Sequence, residues 1–212
     1  MASKPSQIPI AFPVNTSYSR EDFMPAPCNL EALAWVDRWP EWNYPALILH
    51  GQTGCGKTHL LSLWQAKAGN THIAIDNAQD IFGDKEAEKE LFHQFNISKE
   101  NNTSILLTLS KPVAQYDITL PDLASRLRAA PSAEVQEPDD IALQGVFLKL
   151  CHDRQLTVTP EVIAYILPRI ERSYGFIRHL VTKIDEASLS EKRAVTVPLA
   201  RDVLESIENS SH

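Results

Sequence analysis

The eight residues Gly51–Thr58, GQTGCGKT, place glycines, a lysine and a threonine at the spacing G-x-x-x-x-G-K-[ST]. The segment follows an apolar run and precedes an amphipathic run, which is the strand-to-helix context that this pattern requires. Glycines let backbone N–H groups converge on phosphate oxygens, the helix N-terminus adds a positive dipole end, the lysine neutralises phosphate charge, and the threonine can bind Mg²⁺. These features predict a phosphate-binding loop for a nucleotide. Its candidate contact residues are Gly51, Thr53, Gly54, Cys55, Gly56, Lys57, Thr58 and His59.

A hydrolase also needs an acid at the end of a second strand for the metal ion, and usually a neighbouring Glu or Asp that activates water. The run HIAIDNAQ offers Asp76 as a Mg²⁺ ligand together with Thr58, and the next residue is Asn77. An amide can orient water by hydrogen bonding but cannot accept its proton, so we expect slow or no intrinsic turnover. The alternative interpretation is that Asn77 only caps the following turn.

The three cysteines, Cys28, Cys55 and Cys151, are odd in number, widely spaced and outside any CxxC pattern. They indicate neither a disulfide framework nor a zinc site, and a reducing cytoplasm fits this usage. Cys55 lies inside the phosphate loop, where neighbouring amides could lower the pKa of its thiol. The simpler interpretation is that it occupies a variable position of the loop.

The elements that would position these residues alternate along the chain. Buried strands are predicted at ALILH (46–50), HIAID (72–76) and SILLTL (104–109), and one more short strand is predicted at AEVQE (133–137). Helical patterns, THLLSLWQAKAG and KEAEKELFHQFN, separate the first three. Such alternation predicts an α/β fold with a parallel sheet and helices on both faces.

The C-terminal part of the chain has a different pattern, in which apolar residues recur at helical spacing in three successive groups. Thr159-Pro160 and Val197-Pro198 suit helix starts, because proline is tolerated at the first helical position. We therefore divide the sequence into a flexible tail (residues 1–20), an α/β part (21–137) and a helical part (138–212).

Composition restricts the classes of function. At 212 residues and 43% hydrophobic content the chain can bury a real core, and it contains no apolar run long enough for a membrane span and no secretory signal. A cytoplasmic protein without a membrane partner is predicted. The formal net charge of −7 argues against an autonomous, sequence-specific DNA binder, which would need a basic surface for phosphates.

Several segments together resemble the DnaA-related AAA+ proteins, and most closely the Hda family, including its HdaA type. The resemblance extends over nearly the whole chain from about Gln7. It implies a P-loop AAA+ sheet with a C-terminal helical lid, binding ADP or ATP with Mg²⁺. The matching segments are SREDFMPAPCN, the phosphate loop, AIDNAQ, LFHQFN, ILLTLSKP, LPDLASRLRAA, and the run from PDD through DRQL.

The resemblance also implies roles for individual residues. The segment around Phe23 and Asn29 looks like the adenine side of the nucleotide pocket, and Ser110 lies where the first sensor residue is expected, with Thr108 as the lesser candidate. Arg126 in LPDLASRL matches the arginine finger, which reaches the nucleotide of a neighbouring subunit. The second-sensor arginine aligns with Gly175 instead, and Arg178, one helical turn on, is either a substitute for it or a solvated residue.

The N-terminal run QIPIAF resembles the sliding-clamp-binding peptide of the Hda family, which places a glutamine before aliphatic and aromatic anchors. The alternative is a tail that packs its apolar residues on its own domain. The candidate clamp-binding residues are Gln7, Ile8, Ile10 and Phe12.

The chain departs from most relatives between Thr58 and Asp76, where it is too short for the strand and helix that they insert. We therefore expect a sheet with one fewer edge strand. The alternative is that HIAID is itself that edge strand and that Asp76 is not the metal ligand.

The resemblance implies a regulator of replication initiation that binds the β sliding clamp of DNA polymerase III and presents Arg126 to ATP on DnaA. DnaA would then hydrolyse its ATP and lose initiation competence, which would place the protein at the replisome or nucleoid; a homo-oligomer is left open. The alternatives are a DnaA-paralogous P-loop ATPase and a nucleotide switch of the helicase-loader type. DnaA itself fits poorly, because we find no basic DNA-binding region after the predicted lid.

Overall fold

The structure is a computed structural model that describes residues 19–191 and 193–210. Among the described residues, no helix combines the length and apolar character needed to cross a membrane. The strands are β1 (Ala46–His50), β2 (Ile73–Ile75), β3 (Ile105–Leu109) and β4 (Ser132–Glu134). The α-helices are α1 (Leu30–Arg38), α2 (Lys57–Ala68), α3 (Lys85–Glu100), α4 (Pro121–Ala129), α5 (Asp140–Asp153), α6 (Pro160–Ile166), α7 (Tyr174–Glu191) and α8 (Val197–Ser210).

The four strands form one parallel sheet in the order β2-β3-β1-β4. Ile48 of β1 lies opposite Leu107 of β3 on one side and Ser132 of β4 on the other, so β1 is central. The predicted strands are confirmed, including the short fourth one, but β2 is half-buried rather than buried because it lies at the edge of the sheet. The expectation of one fewer edge strand is also confirmed for the described sheet, in which β2, from the HIAID run, occupies the edge.

The alternating side chains of β1 enter two separate apolar clusters. Leu47 and Leu49 pack with α1 and α2 on one face of the sheet, while Ala46 and Ile48 pack with α3 and α4 on the other. All four are fully buried. Because β1 is buried on both faces, its sequence is a continuous apolar run and does not alternate between apolar and polar residues.

Helix α2, which begins with the lysine of the phosphate loop, is anchored by an aromatic group. The fully buried ring of Trp64 stacks on Trp42 with centroids 5.6 Å apart and meets the edge of Trp39 at 6.3 Å. Aromatic rings bury much apolar area each, so this contact fixes the orientation of α2 against the end of α1.

The helices α5 to α8 surround a third apolar cluster, which also includes Ala26 and Cys28 from the segment before α1. Gly145 of α5 allows that segment to approach closely, since a Cβ at this position would lie 2.2 Å from the Sδ of Met24. Lys149 of α5 also forms an ion pair with Asp22. The helical lid is therefore packed directly on the chain that leads into the α/β core.

Candidate functional site

The phosphate loop connects β1 to α2, as the pattern predicts. Gly54 has φ +82°, a backbone conformation that residues with a side chain rarely adopt. A Cβ on Gly54 would lie 2.2 Å from the Oγ of Ser173, because the loop that precedes α7 passes directly over it. Glycine is therefore required here both for the turn and for the approach of the lid.

Lys57, the first residue of α2, is only 7% exposed although its side chain is charged. Its Nζ donates hydrogen bonds to the carbonyl oxygens of Gly51 at 2.7 Å and Gln52 at 2.8 Å. The ammonium group therefore lies inside the curve of the loop. That position concentrates positive charge beside the amides at the start of α2, where a phosphate would be attracted.

Cys55 is buried inside the same loop, with its Sγ 3.8 Å from the Nζ of Lys57. Burial raises the pKa of the Cys55 thiol, and the neighbouring ammonium only partly opposes this effect. The thiol form is therefore favoured, and the interpretation of Cys55 as a thiol of lowered pKa is wrong.

A chain of hydrogen bonds connects the phosphate loop to β2 and β3. The hydroxyl of Thr58 donates to the Oδ2 of Asp76 at 2.7 Å, and the hydroxyl of Thr108 donates to Oδ1 of the same carboxylate. The amide of Asn77 in turn donates to the Oγ1 of Thr108 at 2.8 Å. The three strand-end residues and Thr58 are thereby held as one unit.

Thr58 and Asp76 fit the requirements of Mg²⁺. The ion prefers oxygen ligands and is usually held by one or two protein groups together with phosphate oxygens and water, rather than by a complete protein cage. In keeping with that arrangement, the described residues contain no group of three or more His, Cys, Asp or Glu that could hold a metal by themselves. Asp76 keeps this place although β2 is at the sheet edge, so an edge position does not remove its carboxylate from the site.

A cavity of about 200 Å³ opens between the phosphate loop and the start of α7. The amide of Tyr174, the first residue of α7, donates a hydrogen bond of 3.0 Å to the carbonyl of Gly54, which joins the lid to the loop. The cavity therefore has one wall from each part of the chain. Its lining residues are Thr53, Gly54, Gly56, Lys57, Thr58, His59, Asn77, Tyr174, Gly175 and Arg178.

The charges around the cavity favour an anion. Lys57 and Arg178 both line it, and among the described residues no carboxylate does so. Burial lowers the pKa of His59 below its usual value, partly offset by a contact of its Nε2 with the Ser19 carbonyl at 3.1 Å, so this imidazole is neutral at pH 7. Asn77, with φ 53°, is exposed at the rim.

Most of the predicted phosphate-side residues are thus brought together, but Ser110 is not. Its hydroxyl is 2.7 Å from the hydroxyl of Tyr116, and its amide donates to Gln79 at 3.3 Å. Thr108, two positions earlier and inside β3, is fully buried and contacts Asp76. The structure therefore brings Thr108 rather than Ser110 to Asp76, because Ser110 lies beyond the end of β3 and its hydroxyl is paired with Tyr116; the sensor role stays a prediction.

The predicted adenine-side residues do not line the cavity directly. The amide group of Asn29 holds its own loop, accepting from the Ala26 amide at 2.9 Å and donating to the Met24 carbonyl at 3.0 Å. Phe23 is buried and meets the ring of His59 edge-on at 5.1 Å. Phe23 therefore supports a cavity residue, while the Asn29 side chain is occupied by the backbone.

Arg126 lies on α4, outside the ten residues that line the cavity. Its guanidinium carbon is 4.7 Å from the ring centroid of Phe92 on α3. Within residues 19–191 and 193–210, the guanidinium takes part in no hydrogen bond or salt bridge. This cation is therefore not used by the nucleotide cavity of its own chain.

The sequence reasoning missed Ser173 and Tyr174, although both contact the phosphate loop. The signal was available in the run SYGFIR, since the residues before Gly175 and Arg178 must enter the same cavity if α7 begins there. The four tail residues proposed for clamp binding, Gln7, Ile8, Ile10 and Phe12, lie outside the described residues.

Solved structures with this architecture include replication initiators and a branch-migration motor. Domain III of DnaA from Thermotoga maritima matches with a TM-score of 0.79 at 18% identity, over 92% of this chain and 98% of that one. AMPPCP-bound DnaA from Aquifex aeolicus matches with a TM-score of 0.72 at 20% identity, over 83% and 67% of the two chains. The Thermotoga maritima RuvB Holliday junction branch migration motor matches with a TM-score of 0.62 at 13% identity, over 84% and 66%.

The parallel sheet, the phosphate loop and the helical lid give the chain a P-loop AAA+ fold. The lid is more specific, because residues 143–204 match the family described as "Hda, lid domain". Over these residues the chain is similar to that family, and over most of its length it has the fold of domain III of DnaA.

Proposed function

We propose that this protein is an adenine-nucleotide-binding regulator of replication initiation that stimulates ATP hydrolysis by DnaA. Its N-terminal tail, residues 1–20, would bind the sliding clamp through Gln7, Ile8, Ile10 and Phe12. In this proposal residues 21–137 bind the nucleotide and residues 138–212 form the lid. Both parts would close on ADP or ATP, as the cavity between Gly54 and Tyr174 suggests.

The observation that supports this proposal most directly is the environment of Arg126. The residue is partly exposed on α4, and its guanidinium contacts the Phe92 ring and donates no hydrogen bond within the described part of the chain. A guanidinium with unused donors can bind the phosphates of a second nucleotide in a planar, charge-assisted geometry. Placed against ATP on DnaA, it would stabilise the charge that develops on the transferred phosphoryl group.

The protein's own cavity is better suited to holding a nucleotide than to rapid turnover. When Mg²⁺ and a nucleotide are bound, the metal would neutralise phosphate charge, with Thr58 and Asp76 as its protein ligands. Lys57 would contact the phosphates, and Arg178 faces the same space. The exposed Asn77 can orient water but cannot accept a proton, so the bound nucleotide would persist and keep the lid closed.

The decisive experiment compares Arg126→Ala with Arg128→Ala in stimulated hydrolysis of DnaA-bound ATP on DNA-loaded clamp. Arg128 is a matched control because it is an exposed arginine on the same helix. We expect Arg126→Ala to lose most of the stimulation, since arginine fingers in related systems contribute on the order of 10³ to 10⁵ in rate. Arg128→Ala should retain it. Full stimulation by Arg126→Ala would contradict the proposed mechanism.

Clamp binding is tested separately, by capture on immobilised clamp of the intact protein, Gln7→Ala and Phe12→Ala. Loss of capture in both variants, with capture unchanged in Arg126→Ala, is expected. Equal capture of all four proteins would remove the tail from the proposal. Fast ATP turnover by the protein alone would instead favour an independent ATPase.

A further inference from the structure

Helix α3 contacts α4 through two side chains that lie one helical turn apart, Glu88 and Phe92. Residues at this spacing share one face of a helix. Glu88 reaches the start of α4, and Phe92 reaches Arg126 in its last turn. One face of α3 thus touches α4 at both ends.

Glu88 is fully buried and accepts four hydrogen bonds. Its Oε1 accepts from the amides of Gly83 at 2.8 Å and Thr119 at 3.1 Å, and its Oε2 accepts from the Thr119 hydroxyl and the Leu120 amide, both at 2.7 Å. Burial by itself opposes ionisation, but these donors hold the pKa of Glu88 below its usual value. The group is therefore a buried carboxylate whose oxygens are fully satisfied.

The two amides of Thr119 and Leu120 immediately precede the first residue of α4, Pro121. Leu120 occupies the N-cap position and has no side chain that could accept a hydrogen bond there. The carboxylate of Glu88 accepts from the amide of this N-cap residue and from the amide before it, and its charge suits the positive end of α4. Glu88 therefore anchors the start of α4 to α3.

Phe92 restrains the side chain of Arg126 near the C-terminal end of α4. Its half-buried ring packs on the apolar cluster beneath α3 and α4, so the ring is itself held in place. The Arg126 guanidinium lies over that ring at 4.7 Å, and the hydroxyl of Tyr44 donates to the Arg126 carbonyl at 3.0 Å. Both the backbone and the side chain of Arg126 are thus restrained, while its N–H donors stay unused by the described residues.

We propose that Phe92 and Glu88 are positioning residues for Arg126, which they hold as a preorganised cation for a partner's phosphate. The inference rests on the proposed function, in which Arg126 acts on ATP bound to DnaA. An arginine side chain has many rotamers, and restricting them before docking reduces what must be ordered in the transition state. Glu88 anchors the start of α4, and Phe92 sets the plane of the guanidinium.

The test measures stimulated hydrolysis of DnaA-bound ATP over a range of concentrations of the full chain. Phe92→Leu removes the ring but keeps an apolar side chain, and we expect roughly a tenfold lower maximal rate with little change in the half-maximal concentration. Phe92→Tyr keeps the aromatic ring, and this variant should have the maximal rate of the wild type. Phe82→Leu is the control, because Phe82 packs on the same apolar cluster but contacts Tyr116 rather than Arg126.

A second measurement compares two arginines of the wild-type protein, so this comparison cannot fail through misfolding of a variant. In the wild-type protein, NMR order parameters of the Nε–H groups should show Arg126 to be more rigid than Arg128 of the same helix. Glu88→Gln should lower the order parameter of Arg126 toward that of Arg128.

The outcomes separate this inference from the proposed function. If Arg126→Ala abolishes stimulation while Phe92→Leu leaves the maximal rate unchanged, the positioning role is overturned and the proposed function stands. Equal order parameters for the two arginines in the wild-type protein would also overturn it. Full stimulation by Arg126→Ala would contradict the proposed function itself.

Discussion

The two cations Lys57 and Arg126 occupy opposite kinds of environment in one α/β core. Lys57 is buried and donates to the carbonyls of its own loop, whereas Arg126 is partly exposed and its guanidinium rests on an aromatic ring without a hydrogen bond among the described residues. The first is available only to a ligand inside the chain's own cavity. The second is available to a molecule that approaches α4. We call the cavity that contains Lys57 the holding site, and the exposed surface of α4 around Arg126 the presenting site.

The largest effect is expected from Lys57→Ala. Removing the ammonium should weaken ADP and ATP binding by about a hundredfold or more, which corresponds to about 2.7 kcal/mol, because the charge-assisted contacts to phosphate disappear. Calorimetric titration with each nucleotide measures this. Lys67→Ala, which removes an exposed lysine from the same helix, should bind as the wild type does. Equal losses in both variants would mean that the cavity is not the holding site.

The next largest effect tests the presenting site. Glu88→Gln replaces one acceptor oxygen with a donor that faces other donors, so we expect a loss of about 2 to 3 kcal/mol in the free energy of unfolding at pH 7. Denaturant titration monitored by circular dichroism measures this. Glu86→Gln, an exposed residue in the first turn of α3, serves as the control and should have little effect.

The effect of Glu88 should depend on pH in one direction. Its folded-state pKa lies below its usual value, so its stabilising contribution is complete above the unfolded pKa of about 4.3 and is lost as the pH falls through the folded pKa. The stability difference between wild type and Glu88→Gln should therefore shrink on acidification below about pH 4. A difference that is constant from pH 7 to pH 3 would contradict this assignment.

A smaller effect should distinguish Thr108 from Ser110 at the holding site. Thr108→Val leaves the Asn77 amide without its acceptor and removes a donor to Asp76. We therefore expect the free energy of unfolding to fall by about 1 to 2 kcal/mol, and nucleotide binding in the presence of Mg²⁺ to weaken. Ser110→Ala should leave nucleotide binding unchanged. Thermal unfolding with and without Mg²⁺-ADP measures both the stability and the nucleotide binding. A larger loss of nucleotide binding in Ser110→Ala than in Thr108→Val would favour Ser110 as the sensor.

The smallest effect is expected from Tyr44→Phe, which removes one hydrogen bond to the Arg126 carbonyl at the end of α4. A loss of about 0.5 to 1 kcal/mol in stability is expected, because that carbonyl still accepts from the Ala130 amide. Stimulation of DnaA should decrease by less than it does in Phe92→Leu. A larger decrease would mean that the backbone contact, rather than the ring, restrains Arg126.

Sequence alone determined the parts of this protein that depend on local pattern. Four local patterns each predicted the element that the structure shows there. They are the apolar run of β1, the loop GQTGCGKT, the helix-start prolines and the short connection from Thr58 to Asp76. These predictions succeed because strand burial, glycine-rich turns and helix starts are governed by neighbouring residues.

Only the tertiary structure decided which side chains meet. Thr108 rather than Ser110 contacts Asp76 because Ser110 lies beyond the end of β3 and pairs with Tyr116, and the Asn29 amide bonds to the backbone of its own loop. Neither the contact of Tyr174 with Gly54 nor the pairing of Phe92 with Arg126 is visible in spacing, because each joins residues far apart in sequence. Such contacts depend on how packed layers bring separate elements together.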